Sequence, residues 1–362
     1  MSDGLIKRIG WPRIIISAVL VMLILTAMLT GMDWVSLIND MVRRWGQYGI
    51  LVLAMVPGIQ CGIGLNFGVS LGIVGGLLGG LISMELTGQY GLWMSMTPAG
   101  RAWMMLLTAL VAGIAISTLI GIGYGFLLNN VKGSEMTVST YVGFSAIAFM
   151  NIMWLILPFK NGEIMLPLGG SGLRQTITLE FSFGSVLNNF LMLKIPLAGK
   201  VLTIPTGLLL FFFLVCFIVW LFFRSKPGMT MTAAGSNGAF ARANGINVNK
   251  TRILGTTIST ILGGVGIITY AQSYGFLQLY NAPMMMGFTC VASVLIGGAT
   301  IRRAGVSNVV AGTLMFQGLL ALGLPVANNI IPVSSLSEVS RLIISNGIIL
   351  YALSKSGGRS RG

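Results

Sequence analysis

The sequence predicts an all-α integral membrane protein built as one transmembrane domain over residues 1–362. Its composition is the first reason: 55% of the residues are hydrophobic and only 8% are charged, whereas soluble domains carry about 25% charged residues. Long apolar runs recurring along the chain are the second. The third is the set of 50 glycines, because small residues allow the close helix approach that is typical of membrane bundles.

The length of the apolar runs predicts about ten spans, since a membrane-spanning helix needs roughly 20 residues. Lys7, Arg8 and Arg13 precede the first run, so the positive-inside rule places the N-terminus in the cytoplasm. Ten spans then return the C-terminus to the same side. The predicted spans are 13–32, 49–64, 67–86, 105–128, 138–158, 204–223, 253–272, 283–299, 306–323 and 338–354.

The polar segments between the spans divide into an inner and an outer set. Residues 224–252 form the main cytoplasmic loop, with five basic residues and no acid. Residues 159–203 form the long extracytoplasmic loop, in which we expect an amphipathic helix near 174–193. Under this topology most basic residues and only two of the 8 acids lie inside, which supports the orientation.

One outer segment, residues 33–48, departs from this charge bias. It is polar and carries the basic pair Arg43 and Arg44 on the outer side. A course along the outer interface over residues 36–47 would explain the pair, and an incorrect first boundary is the alternative.

The second and third spans are hardly separated, which predicts broken or re-entrant helices. Pro57 lies within the second span, and Gly62, Gly64 and Gly68 interrupt the junction. Non-helical backbone at membrane depth is tolerated only where it is buried in protein or lines a cavity. A transport path and a plain tight turn both fit this pattern.

A short sequence echo links this junction to a later part of the chain. Gly68-Val69-Ser70 is matched by Gly305-Val306-Ser307. In the predicted topology both stretches enter the membrane from the cytoplasmic side, as internal repeats of transporters do. Chance is the alternative, because glycine is so common here.

The chain has few of the titratable residues that enzymes use for catalysis. The chain has no histidine, and its 8 acids are dispersed, so general acid–base catalysis and metal binding are hard to build. We therefore expect no catalytic residue, no metal and no cofactor. The three cysteines lie far apart in apolar runs and are expected to be free and buried.

Two further absences bear on how transport would be driven. The sequence has no Gly-x-x-x-x-Gly-Lys-Ser/Thr loop for nucleotide phosphates. It also lacks an intramembrane acid pair of the kind that proton-driven transporters use. An active transporter of this kind would take its energy from a partner. The net charge of +14 is scattered between apolar runs, so nucleic acid is not expected as a partner.

The cytoplasmic loop carries a recognisable pattern. It reads Ala234-Gly235-Ser236-Asn237, then Ala241-Arg242, then Gly245-Ile246-Asn247-Val248. This pattern resembles the loop of ABC importer permeases of the ribose and branched-chain amino acid permease superfamily. The resemblance extends over roughly residues 48–354, through glycine blocks of similar order and spacing. The chain departs from the family at Asn66, where an aspartate is usual, and in its long segment 159–203.

The resemblance implies one permease domain in a bacterial cytoplasmic (inner) membrane, surrounded by lipid. The permease would be a subunit of an ATP-driven, binding-protein-dependent importer. Its implied partners are a second permease subunit (identical or related), ABC ATPase subunits and an extracytoplasmic solute-binding protein. Short coupling helices in the loop would dock on the ATPase, and a solvated connector is the alternative. The residues expected to couple are Gly235, Asn237, Phe240, Ala241, Arg242, Gly245 and Ile246.

Polar or aromatic residues within otherwise apolar spans are candidates for the substrate path. They are Gln60, Asn66, Phe67, Asn151, Trp154 and Gln272. Hydrogen bonding between helices is the alternative for each. No ring of charges is present to select ions, which favours a neutral or zwitterionic solute, first a sugar, then a nucleoside or an amino acid. A stand-alone secondary transporter is a further hypothesis, and a membrane enzyme a more distant one.

Overall fold

The computed structural model describes residues 11–165, 173–197 and 199–330, together with residue 347. Most of this length is helical, and the remainder includes four short strands. The helices are α1 (Trp11–Leu29), α2 (Trp34–Leu53), α3 (Met55–Gln60), α4 (Val69–Gly88), α5 (Pro98–Asn130), α6 (Glu135–Ile156), α7 (Val186–Asn189), α8 (Thr206–Arg224), α9 (Lys226–Ser236), α10 (Gly238–Ala243), α11 (Val248–Tyr274), α12 (Asn281–Ile296) and α13 (Val306–Ile330). The strands are β1 (Thr176–Thr178), β2 (Leu193–Leu197), β3 (Lys200–Ile204) and β4 (Phe276–Gln278).

Six helices of the described part are long and apolar enough to cross a membrane, namely α4, α5, α6, α8, α11 and α13. Helices α1 and α12 contain shorter apolar stretches. The predicted class, a helical membrane protein, is therefore confirmed. The predicted span 338–354 and both predicted cytoplasmic termini lie outside the described residues.

The links between helices gather at two ends of the bundle. We call one the loop end, which comprises residues 61–68, 131–134, 225–247 and 297–305. We call the other the hairpin end, which comprises residues 30–33, 89–97, 157–165, 173–205 without residue 198, and 275–280. Among the described links, those predicted to lie inside are at the loop end, and those predicted to lie outside are at the hairpin end.

At each end, hydrogen bonds join a link to a helix that is distant in the sequence. At the loop end, Lys132 Nζ donates to Asn249 Oδ1 at 2.7 Å. At the hairpin end, Asn39 Oδ1 in α2 accepts from Thr203 N in β3 at 2.8 Å. Each end is thus a continuous surface made from several links.

The centre of the bundle consists of α4, α5 and α11, which pack through small residues. Gly121 of α5 lies against α11, where an added methyl group would sit only 2.9 Å from Thr257 Cα and 3.0 Å from Thr260 Cβ. Helix α11 is buried along most of its length, whereas α5, α6 and α8 expose many apolar side chains. The exposed apolar side chains are suited to contact with lipid.

The course of residues 33–48 differs from the expectation. These residues begin a continuous helix, α2, which extends to Leu53 and includes the start of the predicted second span. Arg43 and Arg44 pair within this helix with Asp40, at 2.5 and 2.9 Å. The negative charge of Asp40 neutralises part of the positive charge of Arg43 and Arg44, which lowers the net basic charge on the outer side.

The predicted amphipathic helix near 174–193 is wrong. Residues 176–178 form β1, which pairs antiparallel with β4, and only α7 is helical in that stretch. Strands β2 and β3 follow as an antiparallel hairpin. The β-branched run Thr176-Ile177-Thr178 favours extended backbone, and Gly184 interrupts any longer helix.

Candidate functional site

The chain leaves helical geometry between α3 and α4, within residues 61–68, which we call the turn segment. Gly62 and Gly64 have φ angles of +81° and +89°. L-residues with a side chain rarely adopt this region, and glycine does so readily. The two glycines therefore allow the chain to reverse inside the bundle.

Asn66 fastens the turn segment to α5 and α11. Its Oδ1 accepts from Gly68 N at 3.0 Å and from Tyr124 Oη at 2.8 Å, and its Nδ2 donates to Ser259 Oγ at 3.0 Å. Ser259 Oγ in turn donates to Ala54 O at 2.6 Å. Asn66 is 0% exposed, so in the single subunit it holds the helices together. Sequence reasoning missed Tyr124 and Ser259, although a hydroxyl in an apolar run was an available signal.

Residues 225–247, which we call the coupling segment, form the two short helices α9 and α10. They divide at Asn237, whose Oδ1 caps α10 by accepting from Phe240 N at 3.0 Å. Gly235 lies inside α9, one residue before its end. Gly245, with φ of +77°, ends α10, where Ile246 N donates to Ala241 O at 3.0 Å.

The coupling segment has one buried and one exposed face. Met231, Ala234 and Ala241 are buried. Phe240 is 63% exposed, and Arg242 is exposed, with Nε donating to Gly238 O at 3.0 Å. An exposed aromatic ring beside a guanidinium group is the composition of interface anchors.

The buried face of α9 lies directly on the turn segment. A methyl group at Gly235 would collide with Gln60 O and lie 2.7 Å from Gly62 N. In the opposite direction, a methyl group at Gly62 would lie 2.9 Å from Gly235 Cα. Because backbone touches backbone, α9 has no room to move toward the turn segment without displacing it.

An ion pair fastens the start of α11 to the start of α6. Arg252 Nη2 lies 2.5 Å from Glu135 Oε1, and the two side chains are 10% and 14% exposed. Glu135 Oε2 also accepts from Gly133 N at 2.9 Å. Sequence reasoning noted both charges and missed their pairing, because the residues are 117 positions apart.

The six candidate path residues do not converge on one place. Gln60 donates to Ala304 O at the loop end, and Gln272 is buried near the hairpin end, with Oε1 accepting from Leu187 N at 3.1 Å. Asn151 Oδ1 and Trp154 Nε1 have no hydrogen-bond partner among the described residues, and the Trp154 side chain is 0% exposed. The structure brings together Asn66 and Phe67, which are neighbours in sequence.

Phe67 lies at a narrow surface cleft between the turn segment, α4, α6 and α12, whose volume of about 10 Å³ has room for about one water molecule. Its ring centroid lies 5.5 Å from that of Phe288, which lies 6.2 Å from that of Phe144. Gly143 and Gly287 also line the cleft, and no lining side chain is charged.

Comparison with known protein families decides which family the chain belongs to. Residues 37–353 match the family described as the permease component of the branched-chain amino acid transport system. The chain belongs to this family.

Curated relatives of the permease are components of ABC transporters. It is 25% identical over 235 residues to the nucleoside ABC transporter permease protein NupC of Lactococcus lactis, covering 64% of this chain and 66% of the relative. It is 27% identical over 189 residues to the autoinducer 2 import system permease protein LsrC of an Enterobacter species, covering 51% and 53%. It is 26% identical over 255 residues to the ribose import permease protein RbsC of Escherichia coli, covering 68% and 71%.

The curated relatives are matched over only part of their length. The chain spans between 40% and 66% of the length of the first three curated relatives. No solved structure matches it. The family match and the six long apolar helices of the described part agree on a multi-pass membrane permease.

Proposed function

We propose that this permease subunit is part of an ATP-driven, binding-protein-dependent importer in a bacterial cytoplasmic membrane. Paired with a second permease subunit, it forms the translocation path. The loop end faces the cytoplasm and meets the ATPase subunits, and the hairpin end meets the solute-binding protein. The positive-inside rule supports this orientation, since the basic coupling segment and Arg302–Arg303 belong to the loop end.

The observation that carries the proposal is the contact of the coupling segment with the turn segment. Phe240 and Arg242 offer an exposed anchor on α10, and Gly235 joins α9 to the turn segment without intervening side chains. A partner that moves the coupling segment would thereby move the chain beside Asn66. A conformational change driven by ATP hydrolysis on the partner would thus be transmitted to the helices of the bundle.

The solute is a small uncharged molecule, with a sugar as the first candidate. The ribose permease of E. coli is matched over more of its length than the other two relatives described, and the apolar spans carry no ring of charges that would select ions. The nucleoside permease of L. lactis is a relative of similar identity, so a nucleoside is the second candidate. A branched-chain amino acid, which the description of the matched family names, is the third.

Replacing Phe240 or Arg242 with alanine tests the coupling role. We expect uptake by the complete reconstituted complex to fall roughly tenfold or more, because loss of an interface anchor costs about 1–2 kcal/mol or more. Expression and folding should persist, since both side chains are exposed. Phe149→Ala is the matched control, because Phe149 is a 59% exposed phenylalanine on α6, away from the loop end.

The readouts are uptake, solute-stimulated ATP hydrolysis and co-purification of the ATPase. Normal uptake in both variants would contradict a coupling role. Gradient-driven uptake by the purified chain alone in liposomes would instead establish the stand-alone transporter.

A further inference from the structure

An open polar cavity lies at the hairpin end, and it is much larger than the cleft at Phe67. Its volume is about 560 Å³, and it lies between α2, α7, β3 and α13. The parts of the wall near α7 and β3 come from residues 185–203. These residues belong to the long segment in which the chain departs from its family, so the resemblance to the family does not explain the cavity.

One wall of the cavity is a polar stripe along α2. Ser36, Asp40 and Arg43 line the cavity, and Gln47 continues the stripe into the bundle, where it is buried. Residues three or four positions apart lie on the same face of a helix, so these four share a face. Gln47 Nε2 donates to Ser273 Oγ at 3.1 Å, which fixes this face of α2 against α11.

Hydrogen bonds also hold the walls at α7 and β3 in place. Asn188 of α7 is 8% exposed, and its Oδ1 accepts from Ser273 Oγ at 2.8 Å. Asn39 of α2 accepts from Thr203 N of β3 at 2.8 Å. Ser185 has a φ angle of +57°, a strained value for a residue with a side chain. Such strain persists only where the surrounding structure imposes it, and it is concentrated at functional sites.

The charged residues of the α2 wall carry an excess positive charge. Arg43 Nη2 and Arg44 Nε donate to the two different oxygens of Asp40, at 2.5 and 2.9 Å. Two guanidinium groups thus share one carboxylate. Among the described residues Arg43 makes no other side-chain hydrogen bond, and its side chain is 50% exposed. The remaining N–H groups of Arg43 suit an incoming anion, above all a carboxylate.

Uncharged polar groups complete the polar lining. The side chains of Ser36, Ser185, Asn189 and Thr203 line the cavity and form no hydrogen bond with other described residues. Hydroxyl and amide side chains can both donate and accept, so they match the hydroxyl groups of a ligand. A carboxylate with several neighbouring hydroxyl groups therefore matches the polar lining as a whole.

We propose that this cavity binds a small hydroxylated monocarboxylate, with its carboxylate on Arg43 and its hydroxyl groups on the four uncharged residues. One carboxylate balances the excess charge of the α2 wall, whereas a second would meet no free counter-charge among the described lining residues. The site lies apart from the coupling segment and the turn segment. It is an accessory ligand site that goes beyond the import function and does not depend on it.

Isothermal titration calorimetry of the purified full chain in detergent tests the ligand class. The probes are D-gluconate, which has one carboxylate and several hydroxyl groups, D-glucose, which lacks the carboxylate, and acetate, which lacks the hydroxyl groups. We expect D-gluconate to bind at least about tenfold more tightly than either of the others. Absence of D-gluconate binding, or an equal affinity for one of the other two probes, would overturn the proposal.

Two substitutions locate the binding site. Arg43→Gln should weaken D-gluconate binding about tenfold, because a charge-assisted hydrogen bond is lost. Thr203→Val keeps the shape of the side chain and the backbone N–H that Asn39 accepts, and it should weaken binding about threefold. Lys194→Gln is the control, because it removes the same charge from an exposed residue of β2 outside the cavity lining. An equal effect of Lys194→Gln and Arg43→Gln, or unaltered binding in both Arg43→Gln and Thr203→Val, would contradict the site.

A short acidic peptide separates a small-molecule site from a docking site for a protein loop. Acetyl-Ser-Glu-Ser-amide carries one carboxylate and two hydroxyl groups on a peptide backbone, and we expect it to bind more weakly than D-gluconate. Tighter binding of the peptide would assign the cavity to a protein partner and overturn the proposal. Because these titrations need neither the ATPase nor uptake, their failure would leave the proposed import function standing.

Discussion

At the scale of single residues, Asn66 shows how an amide inside the membrane can serve structure. Its carbonyl oxygen accepts from Gly68 N and Tyr124 Oη, and its amide nitrogen donates to Ser259 Oγ. Full burial and three hydrogen bonds leave no surface of Asn66 for a solute in the single subunit. For Asn66, the structure therefore favours the alternative of hydrogen bonding between helices over a direct contact with a solute.

The substitution Tyr124→Phe removes one donor from this network and keeps the ring. We expect a loss of about 0.6–1.5 kcal/mol of stability, which is the value of one hydrogen bond in water or in membranes. Thermal unfolding of the purified chain in detergent measures it. Tyr141→Phe is the matched control, because Tyr141 is 69% exposed on α6, and an equal loss in both variants would contradict the role of Tyr124.

At the scale of elements, the loop end works as one connected surface. Helix α9 rests on the turn segment, and α11 is fastened to α6 by Arg252 and Glu135. The echo between Gly68-Val69-Ser70 and Gly305-Val306-Ser307 also has a structural counterpart, because Val69 begins α4 and Val306 begins α13, both at the loop end. Corresponding stretches thus start helices that run in the same direction.

The ion pair between Arg252 and Glu135 makes a prediction about stability. Arg252→Met leaves Glu135 almost buried without its counter-charge, so we expect a loss of about 3 kcal/mol. Arg43→Met, in the more exposed pair with Asp40, should cost at most about 1 kcal/mol.

Chemical or thermal unfolding of the two variants and the wild type checks both values. The double variant Arg252→Met with Glu135→Met should recover part of the loss, because no buried charge then remains unpaired. The single variant Glu135→Met completes the cycle, and a double variant as unstable as the sum of Arg252→Met and Glu135→Met would show that the pair is not coupled.

At the scale of the whole molecule, the two ends of the bundle should face opposite sides of the membrane. The loop end gathers the coupling segment and its basic residues, and the hairpin end gathers β2, β3 and the paired charges of α2. This separation follows the charge bias that the sequence shows.

Sidedness can be measured with exposed positions at each end. Ser236→Cys, in the coupling segment, should react with an impermeant thiol reagent only in inside-out vesicles. Leu191→Cys, at the hairpin end and 62% exposed, should react only in intact cells or right-side-out vesicles. Labelling of both positions from one side would contradict the orientation.

Several features were determined by the sequence alone. The membrane class, the helices that match the predicted spans and the inner and outer grouping of links depend on hydropathy and charge sign. Those are local properties, averaged over one span or one loop. The coupling segment was also visible, since its motif lies in consecutive residues between 234 and 248.

Only the tertiary structure decided which helices are neighbours. Asn66 meets Ser259 across 193 positions, and Arg252 meets Glu135 across 117. The cleft at Phe67 is assembled from the turn segment, α4, α6 and α12. Hydropathy does not distinguish between different arrangements of apolar helices, because an apolar side chain meets an equally apolar environment in lipid and in a helix contact. Close packing and hydrogen bonds select one arrangement.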